Sequence, residues 1–125
     1  MSNWAPEYEG KAKQLIPTDD VDVLIQRFKN SATAFNGEKK AEFEGKGALN
    51  NAMSCELFTR LEAAGVPTHF LGKENHRDML VRRLSIIPLE VVVRNYVAGS
   101  LARRTGLEDG TKCESTIVET LSLIH

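Results

Sequence analysis

Residues 49–65 read Leu-Asn-Asn-Ala-Met-Ser-Cys-Glu-Leu-Phe-Thr-Arg-Leu-Glu-Ala-Ala-Gly and contain the clearest helical pattern of the sequence. Large apolar side chains recur at every fourth position, namely at Leu49, Met53, Leu57 and Leu61. This spacing places them on one face of an α-helix. Gly65 is a natural residue to end the helix, and Pro67 prevents its continuation. The pattern predicts one long helix whose apolar stripe faces the core.

Strand patterns lie on both sides of this helix. Before it, residues 8–16 predict a strand that turns at Gly10, and residues 21–28 predict a second strand. After it come three further strand candidates and a short helix, over residues 68–71, 78–84, 88–97 and 98–106. Short turns between most strands indicate an α+β fold with a mainly antiparallel sheet, one long helix and a short C-terminal helix. The run of three valines at 91–93 predicts a strand covered on both faces.

Composition restricts the classes of protein to consider. The chain has 125 residues, 16 Lys+Arg and 17 Asp+Glu, a size that fits one domain. The balanced charge argues against a nucleic-acid binder, and a 6% aromatic content argues against RNA recognition. The sequence has no apolar run of roughly 20 residues and no signal-peptide pattern, so we expect a cytoplasmic domain. Cys55 and Cys113 belong to no metal-binding pattern and are expected to be reduced thiols.

The segment Gly10-Lys11-Ala12-Lys13 is the first candidate binding element. Alternate residues of a strand share one face, so Lys11 and Lys13 would flank a backbone that Gly10 leaves unobstructed. Backbone N–H groups together with two ammonium groups can hold a polyphosphate. The alternative is a solvated basic face on an edge strand.

An arginine-rich region late in the chain is the second candidate. Six arginines and two acidic residues lie between residues 77 and 104. Arg94 stands where the valine-rich strand ends, a position from which a guanidinium can bind a phosphate or carboxylate through two hydrogen bonds. Ser100, just beyond the following turn, could add a hydroxyl donor. The alternative is that Arg94 forms an ion pair with Glu90, four residues earlier on the same face of the strand.

A polar segment before the long helix is the third candidate. Residues 36–40 read Asn-Gly-Glu-Lys-Lys, and the sequence continues through Lys46. A loop of this length inside a compact domain is often functional, for example as a lid over a ligand. The alternative is an ordinary charged surface loop.

These segments together resemble SAICAR synthetase, whose full name is phosphoribosylaminoimidazole-succinocarboxamide synthase. The resemblance is carried by residues 8–13 (YEGKAK), 35–47 (with FNGEKK and FEGKG) and 89–100 (LEVVVRNYVAGS). It extends from about Tyr8 to about Glu119, which implies an ATP-binding N-terminal portion over residues 1–119. Residues 120–125 do not continue the family pattern. Family members are about twice as long, so we expect a truncated chain with little activity alone.

The resemblance implies a kinase-like N-terminal sheet and an ATP-dependent ligase of purine biosynthesis. Its substrates would be ATP, L-aspartate and carboxyaminoimidazole ribotide. The residues implied to bind ATP are Gly10, Lys11, Ala12, Lys13, Arg82 and Leu84. The residues implied to bind the other substrates are Arg94, Ser100, Asn36, Gly37 and Lys46. No catalytic residue is implied, and the Mg²⁺ ligands are expected in the half of the family pattern that this chain lacks.

Two further expectations concern partners. Apolar surface that a longer family member covers would favour a homo-oligomer of this chain. No nucleic-acid or membrane partner is expected. The alternative to a ligase is a non-catalytic nucleotide-binding module that needs a partner chain to complete it.

Overall fold

The computed structural model describes residues 5–34 and 37–123 and divides the chain into two compact units, Met1–Leu84 and Ser85–His125. The expectation of one domain is therefore corrected. The valine-rich strand pairs with a later strand in the second unit, not with the sheet of the first unit.

The described residues of the first unit form seven strands and the long helix. In chain order these elements are β1 Tyr8–Glu9, β2 Lys13–Pro17, β3 Val23–Phe28, β4 Ser31–Ala34, β5 Lys39–Glu42, α1 Lys46–Ala63, β6 Phe70–Lys73 and β7 Asp78–Arg82. Five strands form an antiparallel sheet in the order β1-β2-β3-β7-β6. The α+β class and the antiparallel sheet are confirmed. The segment expected to be a loop before α1 instead contains the β4–β5 hairpin.

The core of the first unit lies between α1 and the sheet. Its buried members are Leu24, Phe28, Cys55, Met79 and Val81, with Leu15, Phe58 and Phe70 packed against them. Strands β3, β6 and β7 all contact α1. Burial raises the pKa of the Cys55 thiol, while the nearby Lys73 ammonium acts in the opposite direction.

The prediction that the apolar stripe of α1 faces the core is wrong. Leu49, Met53 and Leu57 are 61%, 56% and 59% exposed. The buried residues of the helix are Gly47, Asn51 and Cys55, which also recur every four positions but are offset from the stripe by two residues. Two residues correspond to about 200° around a helix, so the stripe lies on the opposite face.

A buried polar network explains why α1 packs on this face. The Asn51 side chain donates from Nδ2 to the carbonyl oxygens of Asn75 (2.9 Å) and Asp78 (3.2 Å). Arg27 donates two hydrogen bonds of 2.9 Å to the Asp78 carboxylate. Burial acts to raise the pKa of Asp78, but the hydrogen bonds from Arg27 and Asn75 outweigh it, so this pKa lies below its ordinary value. Each buried polar group thereby gains a partner.

The second unit is a long hairpin interrupted by a short helix. Its elements are β8 Leu89–Tyr96, α2 Ser100–Thr105 and β9 Lys112–Ser122. The predicted short C-terminal helix is confirmed, and Gly106 ends it with a φ of 70°. The expectation that both faces of the valine run are covered is wrong. Val91 and Val93 are 66% and 61% exposed, because they lie on a face of a two-stranded hairpin that carries no packing layer within this unit.

Candidate functional site

An open cleft of about 580 Å³ lies in the first unit, beside the turn between β1 and β2. We call it the lysine cleft because Lys11, Lys29 and Lys40 all line it. The rest of its lining consists of the carboxylate of Glu9, the hydroxyls of Ser31 and Thr33, and the glycines Gly10 and Gly37. With three lysines against one glutamate, the lining carries a net positive charge, which suits an anion.

The backbone of the β1–β2 turn is held in place by the chain at the end of β3. The Gly10 amide donates to the Lys13 carbonyl oxygen at 2.9 Å and closes the turn. The Lys29 amide donates to the Ala12 carbonyl oxygen at 2.8 Å. The Lys29 ammonium donates to the Gly10 carbonyl oxygen at 3.2 Å and to the Glu9 carboxylate at 2.9 Å. Lys29 therefore fixes the turn, and its hydrogen bond lowers the pKa of Glu9.

The structure brings together some of the residues expected to bind ATP. Gly10 and Lys11 line the lysine cleft, whereas Ala12 and Lys13 are not part of its lining. Lys13 begins β2 and lies near His69, whose pKa is lowered first by burial and then by the Lys13 charge.

Arg82 and Leu84 lie toward the opposite end of the sheet. Arg82 pairs with Val23 at the start of β3, whereas Lys29 follows the end of that strand. Val23 and Lys29 are six residues apart, which corresponds to about 20 Å of β-strand, and neither Arg82 nor Leu84 lines the lysine cleft. The amide of Arg82 donates to the His69 carbonyl oxygen at 2.8 Å, and the Leu84 side chain is 54% exposed.

The third sequence candidate is only partly described. Gly37 lines the lysine cleft, Lys46 begins α1 without lining it, and Asn36 lies outside the described residues. Sequence reasoning missed Lys29, and it included Lys40 in the third candidate segment without giving it a role. The pairing of Lys13 with Phe28 places Lys29 beside the β1–β2 turn. The pairing of Thr33 with Lys40 places these two residues opposite each other in the β4–β5 hairpin. Strand register was the signal that could have found them.

A second candidate site lies in the second unit, around Arg94. Its guanidinium donates from Nε to Glu119 Oε2 at 3.1 Å, from Nη1 to the Ala98 carbonyl oxygen at 2.9 Å, and from Nη2 to Ser100 Oγ at 3.3 Å. Arg104 donates to the other oxygen of Glu119. We call this group of residues the arginine cluster. It confirms that the fold brings Arg94 and Ser100 together.

The ion-pair partner of Arg94 is Glu119, and the alternative of a pair with Glu90 is wrong. Four residues along a strand correspond to about 13 Å, which is too far for direct contact. Glu119 pairs with Val92 across the hairpin and is therefore diagonal to Arg94 on one face. The hydrogen bond from Arg104 lowers the pKa of Glu119 most, burial opposes it, and Arg94 lowers it further.

The described part of the chain contains neither a metal-binding cluster nor a membrane-spanning helix. Within residues 5–34 and 37–123, no three His, Cys, Asp or Glu side chains are arranged to hold a metal ion. Neither helix of these residues combines the length and apolar character needed to cross a bilayer.

Comparison with known proteins gives consistent matches along almost the whole chain. The family model for SAICAR synthetase matches residues 6–122. A phosphoribosylaminoimidazole-succinocarboxamide synthase of Exiguobacterium sibiricum is 61% identical over 114 residues, which is 91% of this chain and 48% of that protein. This chain spans about half the length of the curated relatives it matches.

Solved structures agree in fold. The phosphoribosylaminoimidazole-succinocarboxamide synthase of Ehrlichia chaffeensis superposes with a TM-score of 0.86 at 42% identity, covering 94% of this chain and 50% of that one. A SAICAR synthetase in complex with ADP superposes with a TM-score of 0.84 at 51% identity, covering 93% and 49% of the two chains.

Proposed function

This chain belongs to the SAICAR synthetase family, and we propose that it forms the ATP-binding portion of a ligase that joins L-aspartate to carboxyaminoimidazole ribotide. The observation that carries the proposal is the lysine cleft, in which three lysines converge beside the Gly10 turn. A related protein, 51% identical to this chain, was solved with ADP bound. Both observations support a nucleotide as the ligand of the first unit.

The proposed reaction explains why the site must bind several anions. ATP transfers its γ-phosphoryl group to the carboxylate of the ribotide and leaves ADP. The amine of L-aspartate then attacks the resulting acyl phosphate, so that a C–N bond forms, a C–O bond breaks, and inorganic phosphate and a proton leave. Positioned cations are the main protein contribution to such a transfer, because negative charge must be held close to negative charge.

In the lysine cleft, Lys11 and Lys40 are the residues we assign to phosphate oxygens. The described structure gives Lys11 no ion pair, whereas Lys29 is already paired with Glu9 and holds the turn. The side chains of Lys11 and Lys40 are exposed, so solvent screens their charges and each contact with a phosphate oxygen contributes on the order of 1 kcal/mol. Gly10 lines the cleft beside Lys11, and its backbone is held in the turn by Lys13 and Lys29.

The rest of the nucleotide would follow the sheet away from the cleft. Lys13 lies next along the chain, and Arg82 and Leu84 lie toward the other end of β3. We assign these residues to the nucleoside part of ATP. Backbone groups near the end of β7 would form most of the contacts with it. The arginine cluster, with Arg94 and Ser100, is assigned to the ribotide, and Asn36, Gly37 and Lys46 are assigned to the substrates more generally.

Other parts of the proposal stay predictions. The described residues do not fit a Mg²⁺ site, since no carboxylate cluster is present among them. A boundary at residue 119, a cytoplasmic location and a homo-oligomer also stay predictions. The non-catalytic module would share the ATP site but not the chemistry. Intact-mass and size analysis of the purified protein separates the two functions, because a module that needs a partner chain should co-purify with it.

Binding of ADP to the 125-residue chain tests the proposed nucleotide site. We expect Lys11→Ala to weaken ADP binding about tenfold, because one direct ammonium–phosphate contact is lost. Lys112→Ala is the matched control, since Lys112 lies on β9 of the second unit. Calorimetry measures both affinities, and thermal unfolding checks that each variant is folded. Equal affinity in Lys11→Ala and wild type would return Lys11 to a solvated surface role.

A further inference from the structure

Glu119 is the one carboxylate that contacts both Arg94 and Arg104 within the described residues. Its Oε2 accepts from Arg94 at 3.1 Å, and its Oε1 accepts from Arg104. Its side chain is 13% exposed, compared with 17% for Arg94 and 52% for Arg104. Glu119 thus connects β8, through Arg94, and α2, through Arg104, to β9.

The contacts of Arg94 leave a defined part of its guanidinium open. A guanidinium has five N–H donors in a rigid plane. Within the described residues, three of them are used, by Glu119, Ala98 and Ser100. The group is held at all three of its nitrogen atoms, which restricts its rotation out of this plane. One N–H on Nη1 and one on Nη2 remain for a ligand.

We propose that Glu119 is a positioning residue for the ribotide subsite, where it orients Arg94 so that its two remaining N–H donors meet an anionic group of the substrate. The inference rests on the proposed function, because it takes the ribotide as the ligand of the arginine cluster. A group that is already oriented loses less conformational freedom when its ligand binds, and this favours binding.

Charge repulsion and orientation predict opposite effects on ligand affinity when Glu119 is removed. A carboxylate next to an anion-binding arginine repels the ligand, so removing it would strengthen binding if charge alone mattered. Orientation acts in the opposite direction, because Arg94 would lose its Nε partner and gain freedom. In the ribotide subsite, orientation of Arg94 contributes more to ligand affinity than repulsion by Glu119 removes. A purely structural ion pair predicts a change in stability but none in the affinity of the folded chain.

The test is an NMR titration of the 125-residue chain with SAICAR, which is the product of the proposed reaction and contains the ribotide. The titration is followed through the Nε–H signals of the arginines. In the wild type we expect the Arg94 signal to move as SAICAR is added. In Glu119→Ala the dissociation constant should rise about tenfold, since the guanidinium is no longer aligned. Glu119→Gln keeps one acceptor oxygen in place and should give an intermediate value. Glu90→Gln is the matched control on the same hairpin and should bind like the wild type.

The outcomes separate this inference from the proposed function. Equal affinity in wild type and both Glu119 variants would overturn the positioning role while leaving Arg94 as a ligand. Tighter binding by Glu119→Gln would overturn it as well, because repulsion would then dominate. If Glu119→Ala does not fold, the comparison of Glu119→Gln with Glu90→Gln decides. If the wild type binds ADP but not SAICAR, the ribotide subsite and this inference both fail and the nucleotide site stands. If it binds SAICAR but not ADP, the nucleotide site fails, and the Glu119 variants still decide this inference.

Discussion

The two faces of α1 differ in burial, and the apolar pattern alone predicts the wrong face to be buried. One face carries Leu49, Met53, Leu57 and Leu61 and is exposed, whereas the other carries Gly47, Asn51 and Cys55 and is buried against the sheet. The buried face is the smaller and more polar of the two. What it offers is close approach and hydrogen bonds in place of large apolar area.

A polar network in which every group has a hydrogen-bond partner can decide which side of a helix is buried. Among the described residues, every buried side-chain nitrogen or oxygen atom has a hydrogen-bond partner. Asn51 is 0% exposed and Asp78 is 1% exposed, yet both are fully bonded. Once these groups are arranged in this way, turning the helix to bury its leucines would leave them without partners, at a cost of about 1–3 kcal/mol for each group.

Replacing Asn51 gives the largest expected effect on the buried face. Asn51→Leu removes both hydrogen bonds to the carbonyl groups of Asn75 and Asp78 and leaves those groups buried. The Asp78 carbonyl keeps the backbone amides of Glu74 and Asn75 as donors, whereas the Asn75 carbonyl loses its partner. We expect the free energy of unfolding to fall by about 2 kcal/mol, because an unsatisfied buried group costs about 1–3 kcal/mol. Urea denaturation of the purified chain measures the difference.

Asn50→Leu is the control for this substitution. Asn50 directly precedes Asn51 in α1, is only half-buried, and makes no side-chain hydrogen bond within the described residues. Its replacement should change stability by less than about 0.5 kcal/mol. A similar loss in both variants would mean that the network does not determine the buried face.

Gly47→Ala tests close approach on the same face, with a smaller expected effect. A Cβ atom at this position would lie 2.6 Å from the carbonyl oxygen of Phe28, so the start of α1 must move away from β3. Better helix propensity offsets part of the strain, and we expect a net loss of about 1–2 kcal/mol. The Gly72→Ala control meets no atom within 4 Å and should stay near wild type in the same denaturation experiment. A stable Gly47→Ala chain would show that the contact relaxes easily.

Much of the fold could be predicted from the sequence, because turn residues and apolar periodicity act locally. The turn at Gly10, the end of α2 at Gly106 and the position of α1 follow from such signals. The buried face of α1 could not be predicted in this way. It depends on Asp78 and Asn75, which lie 27 and 24 residues away from Asn51.

The candidate sites show the same limit. Gly10, Lys11, Arg94 and Ser100 were recognised from local sequence and motif resemblance. The contact of Arg94 with Glu119 joins residues 25 positions apart, and it depends on the register of the β8–β9 hairpin. Lys29 likewise needs the pairing of β2 with β3 before its place beside Gly10 is apparent. Register, which the sequence pattern leaves open, therefore decides which charges meet.

Leu57→Gln gives the smallest expected effect and tests the exposed face directly. Leu57 is 59% exposed, so replacing it removes little buried apolar area, and glutamine keeps a high helix propensity. We expect the free energy of unfolding to change by less than about 0.5 kcal/mol. The matched change on the buried face is Cys55→Gln, which places an amide in the core beside Met79 and should cost about 2 kcal/mol or more. If Leu57→Gln were the more damaging of the two, the leucine stripe would be the packed face and the assignment of both faces would be reversed.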